Sequence, residues 1–108
     1  MRVLVVEDEE MLAETITDGL RDQTIAIDAA HDGAEALYRT GYTDYDVIVL
    51  DRDLPGVHGD EVCRQLVARR SNSNPVATEF IRVREVRRSV RAHARGKVSL
   101  TVLRGAHR

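Results

Sequence analysis

Val47-Ile48-Val49-Leu50-Asp51 is the stretch whose reading decides the fold. Four apolar residues in a row, three of them β-branched, read as a strand buried on both faces. The run stops on a carboxylate and passes through Arg52-Asp53-Leu54 into a Pro55-Gly56 turn. In open parallel α/β sheets ligands bind outside the carboxyl ends of the strands, so an acid placed there is positioned for chemistry. A second run of this kind, Arg2-Val3-Leu4-Val5-Val6, stands at the start and ends on Glu7-Asp8. If the two strands lie side by side and parallel, Glu7, Asp8 and Asp51 converge on one pocket.

Around these two strands the pattern alternates. Residues 9–21 read as a helix, with Leu12, Ile16 and Leu20 forming one apolar stripe. A weaker strand over 24–29 alternates in the manner of an edge strand. His31-Asp32-Gly33 reads as a turn, and 34–40 as a short helix with Ala34, Leu37 and Tyr38 on one face. Residues 59–70 form the third helix, with Val62, Cys63, Leu66 and Val67 inward. Ser71-Asn72-Ser73-Asn74-Pro75 reads as a loop. The β-α-β-α-β-α order with short connections predicts an α/β, doubly wound parallel sheet in which the first and third strands are central.

The last third is less regular. Residues 76–81 suggest a fourth strand, although Glu79 would then sit in its middle, where an unpaired carboxylate is costly to bury. Residues 82–95 suggest a helix with Val83, Val86, Val90 and Ala94 on one face, and 98–102 an edge strand. No sequence is left for a fifth helix. One sheet face should then lack part of its cover, which predicts self-association as a homodimer.

With 108 residues, 43% apolar, the chain reads as one domain with an aliphatic core. No long apolar segment is present, and Met1 leads straight into strand-like sequence; a cytoplasmic protein without membrane contact is expected. Cys63 is the only cysteine, so an intrachain disulfide is excluded, and a packing role is expected for it. The net charge of −2 hides an asymmetry. Residues 1–78 carry 7 basic and 16 acidic side chains, a net of −9; residues 79–108 carry 9 basic and 2 acidic, a net of +7. Either a basic interaction surface or a junction between unlike sequences would produce such a split.

Four stretches together resemble the receiver domain of two-component response regulators, closest to those carrying a winged-helix DNA-binding domain. They are Val3-Leu4-Val5-Val6-Glu7-Asp8-Glu9, Asp32-Gly33-Ala34-Glu35-Ala36-Leu37, Asp46-Val47-Ile48-Val49-Leu50-Asp51, and Leu54-Pro55-Gly56 followed by Gly59. The resemblance covers residues 1 to about 70. It implies a flavodoxin-like fold with strand order 2-1-3-4-5, here with the last helix missing. It further implies that Asp51 accepts a phosphoryl group from a sensor histidine kinase. Asp8 and Asp51 would hold Mg²⁺ directly, Glu7 would help through water, and the Asp53 carbonyl would be a further ligand. The residue types suit this chemistry: Mg²⁺ prefers oxygen ligands in an octahedron. Two carboxylates about 4 Å apart repel by roughly 4 kcal/mol at an effective dielectric near 20, about three pK units. The metal-free pocket should therefore resist full ionisation.

The chain also departs from the family. Receivers usually end the fourth strand with Ser or Thr and the fifth with Lys, and neither motif is recognisable. Thr78 is the nearest hydroxyl, mid-strand in this reading, against a plain surface role. Lys97 precedes the fifth candidate strand, at the wrong end. Arg104 follows that strand and is the candidate cation for pairing with phosphate, against a solvated terminal arginine. The Arg-rich segment 82–97 suggests contact with nucleic-acid phosphates, although a solvated helix face is the plainer reading. DNA would otherwise be reached only through an output domain. Residues 71–108 are read as a divergent basic segment or as non-native sequence, such as a shifted reading frame in a GC-rich gene would produce. Two functions stay open: a phosphorylatable signalling receiver, or a receiver-like interaction module that is not phosphorylated and binds protein or nucleic acid.

Overall fold

A computed structural model of the chain describes residues 1–21, 25–51, 53–73 and 78–92. β1 (Arg2–Val6) lies between β2 (Ala26–Ala30) and β3 (Val47–Leu50), and β4 (Glu79–Arg82) pairs with the far side of β3. All pairings are parallel, in the order β2-β1-β3-β4. This matches the first four positions of the expected order; the fifth candidate strand, 98–102, lies outside the described residues. α1 (Glu10–Leu20), α2 (Gly33–Thr40), α3 (Gly59–Ser73) and α4 (Val83–Ala92) complete the described elements. Among the described residues no helix is long and apolar enough to cross a membrane.

The strand pleat explains why β1 and β3 are continuous apolar runs. Successive side chains point to opposite faces, and both faces are covered. Val3, Val5, Val47, Val49 and Ile81 pack on one face with Ile16 and Leu20 of α1 and Val83 and Val86 of α4. Leu4, Val6, Ile48 and Leu50 pack on the other with Ala36, Leu54, Val62 and Leu66. α4 thus packs on the same sheet face as α1. Val90 and Ala94, expected on the same stripe, have side chains outside the description.

Several boundaries and faces differ from expectation. α3 runs on through Ser73, where a loop was expected from Ser71. Glu79 opens β4 instead of lying in its middle and is only half-buried, which removes the objection to this strand. In α2 the buried residues are Gly33 and Ala36, with Leu37 partly covered, whereas Ala34 is exposed and Tyr38 is 68% exposed beside Tyr42. The helix starts one residue earlier than expected, and positions i, i+3 and i+4 counted from Gly33 face the core. Val67 is likewise outside the core, at 50% exposure.

Asp32 caps α2, its Oδ1 accepting from the Glu35 N–H at 2.7 Å. Gly33 then sits where a Cβ would lie 2.5 Å from the Val57 carbonyl oxygen and 2.9 Å from Val62 Cγ2. Replacing Gly33 by Ala favours the helix by at most about 1 kcal/mol. A contact with a main-chain oxygen cannot relax by a rotamer change and costs about 1–3 kcal/mol. Gly33→Ala should therefore lower the thermal midpoint by about 5–10 °C; an unchanged or raised midpoint by calorimetry would contradict this packing.

Candidate functional site

Parallel register builds the site. Val6 of β1 is the partner of Leu50 in β3, and the Asp51 N–H donates to the Val6 carbonyl at 3.2 Å. The residues that follow, Glu7-Asp8 and Asp51, therefore emerge at the same end of the sheet. One carboxylate oxygen from each of Glu7, Asp8 and Asp51 lies within 4.8 Å of the others. The Asp53 N–H donates to Asp51 Oδ1 at 3.2 Å and steadies that carboxylate. Gly56, with φ of 73°, allows the turn beyond it.

The three acids sit in unlike surroundings. Glu7 is buried at 3% exposure, Asp51 is half-buried and Asp8 is exposed. Glu7 Oε2 is a buried oxygen that accepts no hydrogen bond from the described residues. Its pKa is pushed up to about 8, first by burial, then by the hydrogen bond to Asp51 and by the negative charges of Asp51 and Asp8. The expected resistance to full ionisation is present. Its main cause is loss of water around Glu7, ahead of the repulsion between carboxylates argued from the sequence.

Asp53 is not in the carboxylate cluster: its side chain is 94% exposed, and its Oδ1 lies 3.9 Å from His58 Nε2. His58 accepts from the Asp60 N–H through Nδ1 at 3.2 Å, next to the start of α3. Thr78 precedes β4 at the amino end of the sheet, where its hydroxyl donates to the Tyr45 carbonyl at 2.9 Å. β4 begins three residues later than expected, and a four-residue strand spans about 13 Å, so Thr78 does not reach the pocket. Lys97 and Arg104 lie outside the described residues.

What the sequence reading did not place at the site is the basic wall opposite Asp51. A cavity of about 580 Å³ is lined by Leu50, Asp51, Asp53, Arg82, Val83, Arg84, Arg87 and Arg88. Arg82 is the register partner of Leu50, so it stands one strand away from the residue before Asp51. Counting the fourth strand to its end finds it, whereas the sequence pattern of the arginines suggests nucleic-acid contact or a solvated helix face.

The sequence model of the response regulator receiver domain matches residues 3–99. Among curated proteins, the transcriptional regulatory protein CutR of Streptomyces coelicolor is 63% identical over 67 residues, 62% of this chain and 31% of that protein. The response regulator ArlR of Staphylococcus saprophyticus is 36% identical over 75 residues, 69% of this chain and 33% of that protein. The chain spans about a third of the length of the curated relatives it matches. Among solved structures, the receiver domain of the Francisella response regulator 1452 has a TM-score of 0.64 at 30% identity, covering 75% of this chain and 63% of that one. The response regulator TrrA of Thermotoga maritima, solved in complex with Mg(2+)-BeF, has a TM-score of 0.61 at 29% identity, covering 74% of this chain and 84% of that one. The order β2-β1-β3-β4, the acids at the carboxyl ends of β1 and β3, and the match over residues 3–99 agree, and the chain belongs to the receiver domain family of two-component response regulators.

Proposed function

We propose that Asp51 is the phosphoacceptor of this receiver, with Glu7 and Asp8 completing a Mg²⁺ site and a sensor histidine kinase as the donor. The observation that carries the proposal is the convergence of three carboxylates, one of them holding a buried oxygen without a partner among the described residues. Hard oxygen donors of this kind fit Mg²⁺, and the Asp53 main-chain carbonyl is the further ligand we propose. When bound, the ion supplies charge that offsets the carboxylates and the incoming phosphoryl oxygens.

The protein's own residues do the rest. The Asp53 N–H holds Oδ1 of Asp51 and leaves the other oxygen to attack phosphorus in line. An O–P bond forms as the P–N bond to the donor histidine breaks, and the imidazole leaves with a proton from solvent. The product is an acyl phosphate on Asp51. Water attacking phosphorus later returns the carboxylate and inorganic phosphate. We propose one receiver unit over 1–108 with a divergent basic segment at 71–108, acting as a cytoplasmic switch whose readout is transcription. The match over 3–99 supports the single unit, and relatives named as transcriptional regulators support the readout.

Label from a radioactive small phosphodonor should enter the wild-type chain only with Mg²⁺ and be absent in Asp51→Asn. Well-folded protein that takes no label would favour the module that is not phosphorylated. Glu7 generates a second expectation. An acid whose pKa is raised on folding keeps its proton in the folded chain and loses it in the unfolded one between about pH 4.5 and 8. Stability should therefore fall with rising pH across that window, by at most about 5 kcal/mol. In chelator, Glu7→Gln should flatten this fall and raise the midpoint at pH 8, while Mg²⁺ should stabilise the wild type more at pH 8 than at pH 5. A midpoint that rises from pH 5 to pH 8 in chelator would contradict the assignment.

A further inference from the structure

The cavity of about 580 Å³ beside Asp51 has a wall built from arginines. Arg82 closes β4, and Arg84, Arg87 and Arg88 follow on the first two turns of α4. Spacings of three and four residues put Arg84, Arg87 and Arg88 on one helix face, and the cavity lies against that face. All four side chains are exposed, and among the described residues none of them forms an ion pair. Four arginines thus line one cavity with Asp51 and Asp53, and none of the four forms an ion pair with either acid. The lining carries a net positive charge, and α4 begins on it at Val83, so helix N–H groups add to the same field.

We propose that this cavity is an oxyanion site: the arginines of β4 and α4 bind the oxygens of a phosphoryl group beside Asp51. The ligand class is phosphate and its monoesters or anhydrides, since guanidinium forks match the geometry of paired phosphoryl oxygens. A cavity of about 580 Å³ leaves room for a phosphoryl group bonded to Asp51. As regards the acyl phosphate, this rests on Asp51 being the phosphoacceptor; binding of a free oxyanion does not.

Two measurements separate the inferences. Isothermal titration with pyrophosphate should show binding that weakens about tenfold or more in the Arg82→Gln/Arg87→Gln double variant and that is largely kept in Arg82→Lys/Arg87→Lys. Asp51→Asn, which removes a negative charge from the cavity, should bind pyrophosphate more tightly. The second measurement is the rate of labelling by the small phosphodonor, expected to fall about tenfold in the Gln double variant at unchanged thermal midpoint. Label in the wild type with rate and pyrophosphate affinity indifferent to the arginines would overturn this site and leave the phosphoacceptor reading standing. Arginine-dependent pyrophosphate binding without any label would uphold the site and overturn that reading. Neither label nor arginine-dependent binding would overturn both.

Discussion

Parallel pairing of β1 with β3 in a single register is the constraint on which the rest of the molecule depends. With Val6 beside Leu50, every apolar residue of both strands falls on a covered face. Leu4, Val6, Ile48 and Leu50 go to the α2–α3 side, and Val3, Val5, Val47 and Val49 to the α1–α4 side. A slip by one residue would exchange the two sets and leave neither face matched to its helices. The same register brings Glu7, Asp8 and Asp51 to one end of the sheet. Core packing and the site are therefore set by one alignment, and the hydrophobic effect supplies the free energy that holds like charges together.

Burial decides how those charges behave. Asp8 is open to water and Asp51 half-open, whereas Glu7 is enclosed, with an oxygen unpartnered among the described residues. The proton excess of the cluster settles on the residue that water reaches least. A site of this kind gains from any cation that restores the lost solvation, and its electrostatic strain is released by loading. The exposed arginines across the cavity are cheap to place, because water solvates them until an anion arrives.

The opposite charges of the two parts of the chain take on a spatial meaning in the structure. The acid-rich residues supply β1, β3 and the carboxylates, and the basic residues after 79 supply the facing wall through β4 and α4. The cavity lies where they meet. Val83 and Val86 fix α4 against the core, and Arg84, Arg87 and Arg88 line the cavity beside Asp51.

The order of elements, the two central strands and the acids at their ends were legible in the residues. A run such as Val47-Ile48-Val49-Leu50 has no stable place except between two covered faces, and its terminal carboxylate follows from that placement. The faces of short helices were less legible. Over eight residues a shift of one position at the start rotates the stripe, as Tyr38 and Ala36 show. The end of β4 and the side taken by α4 were decided only in three dimensions. Glu79 gives no periodic signal, and a stripe of Val83 and Val86 fits either sheet face equally well. Sequence by itself thus determined which acids share the carboxyl edge, because strand polarity and hydrophobic runs are local properties. Tertiary structure alone decided which of them keeps its proton and what stands opposite, because both depend on how much water the packed chain leaves around each group.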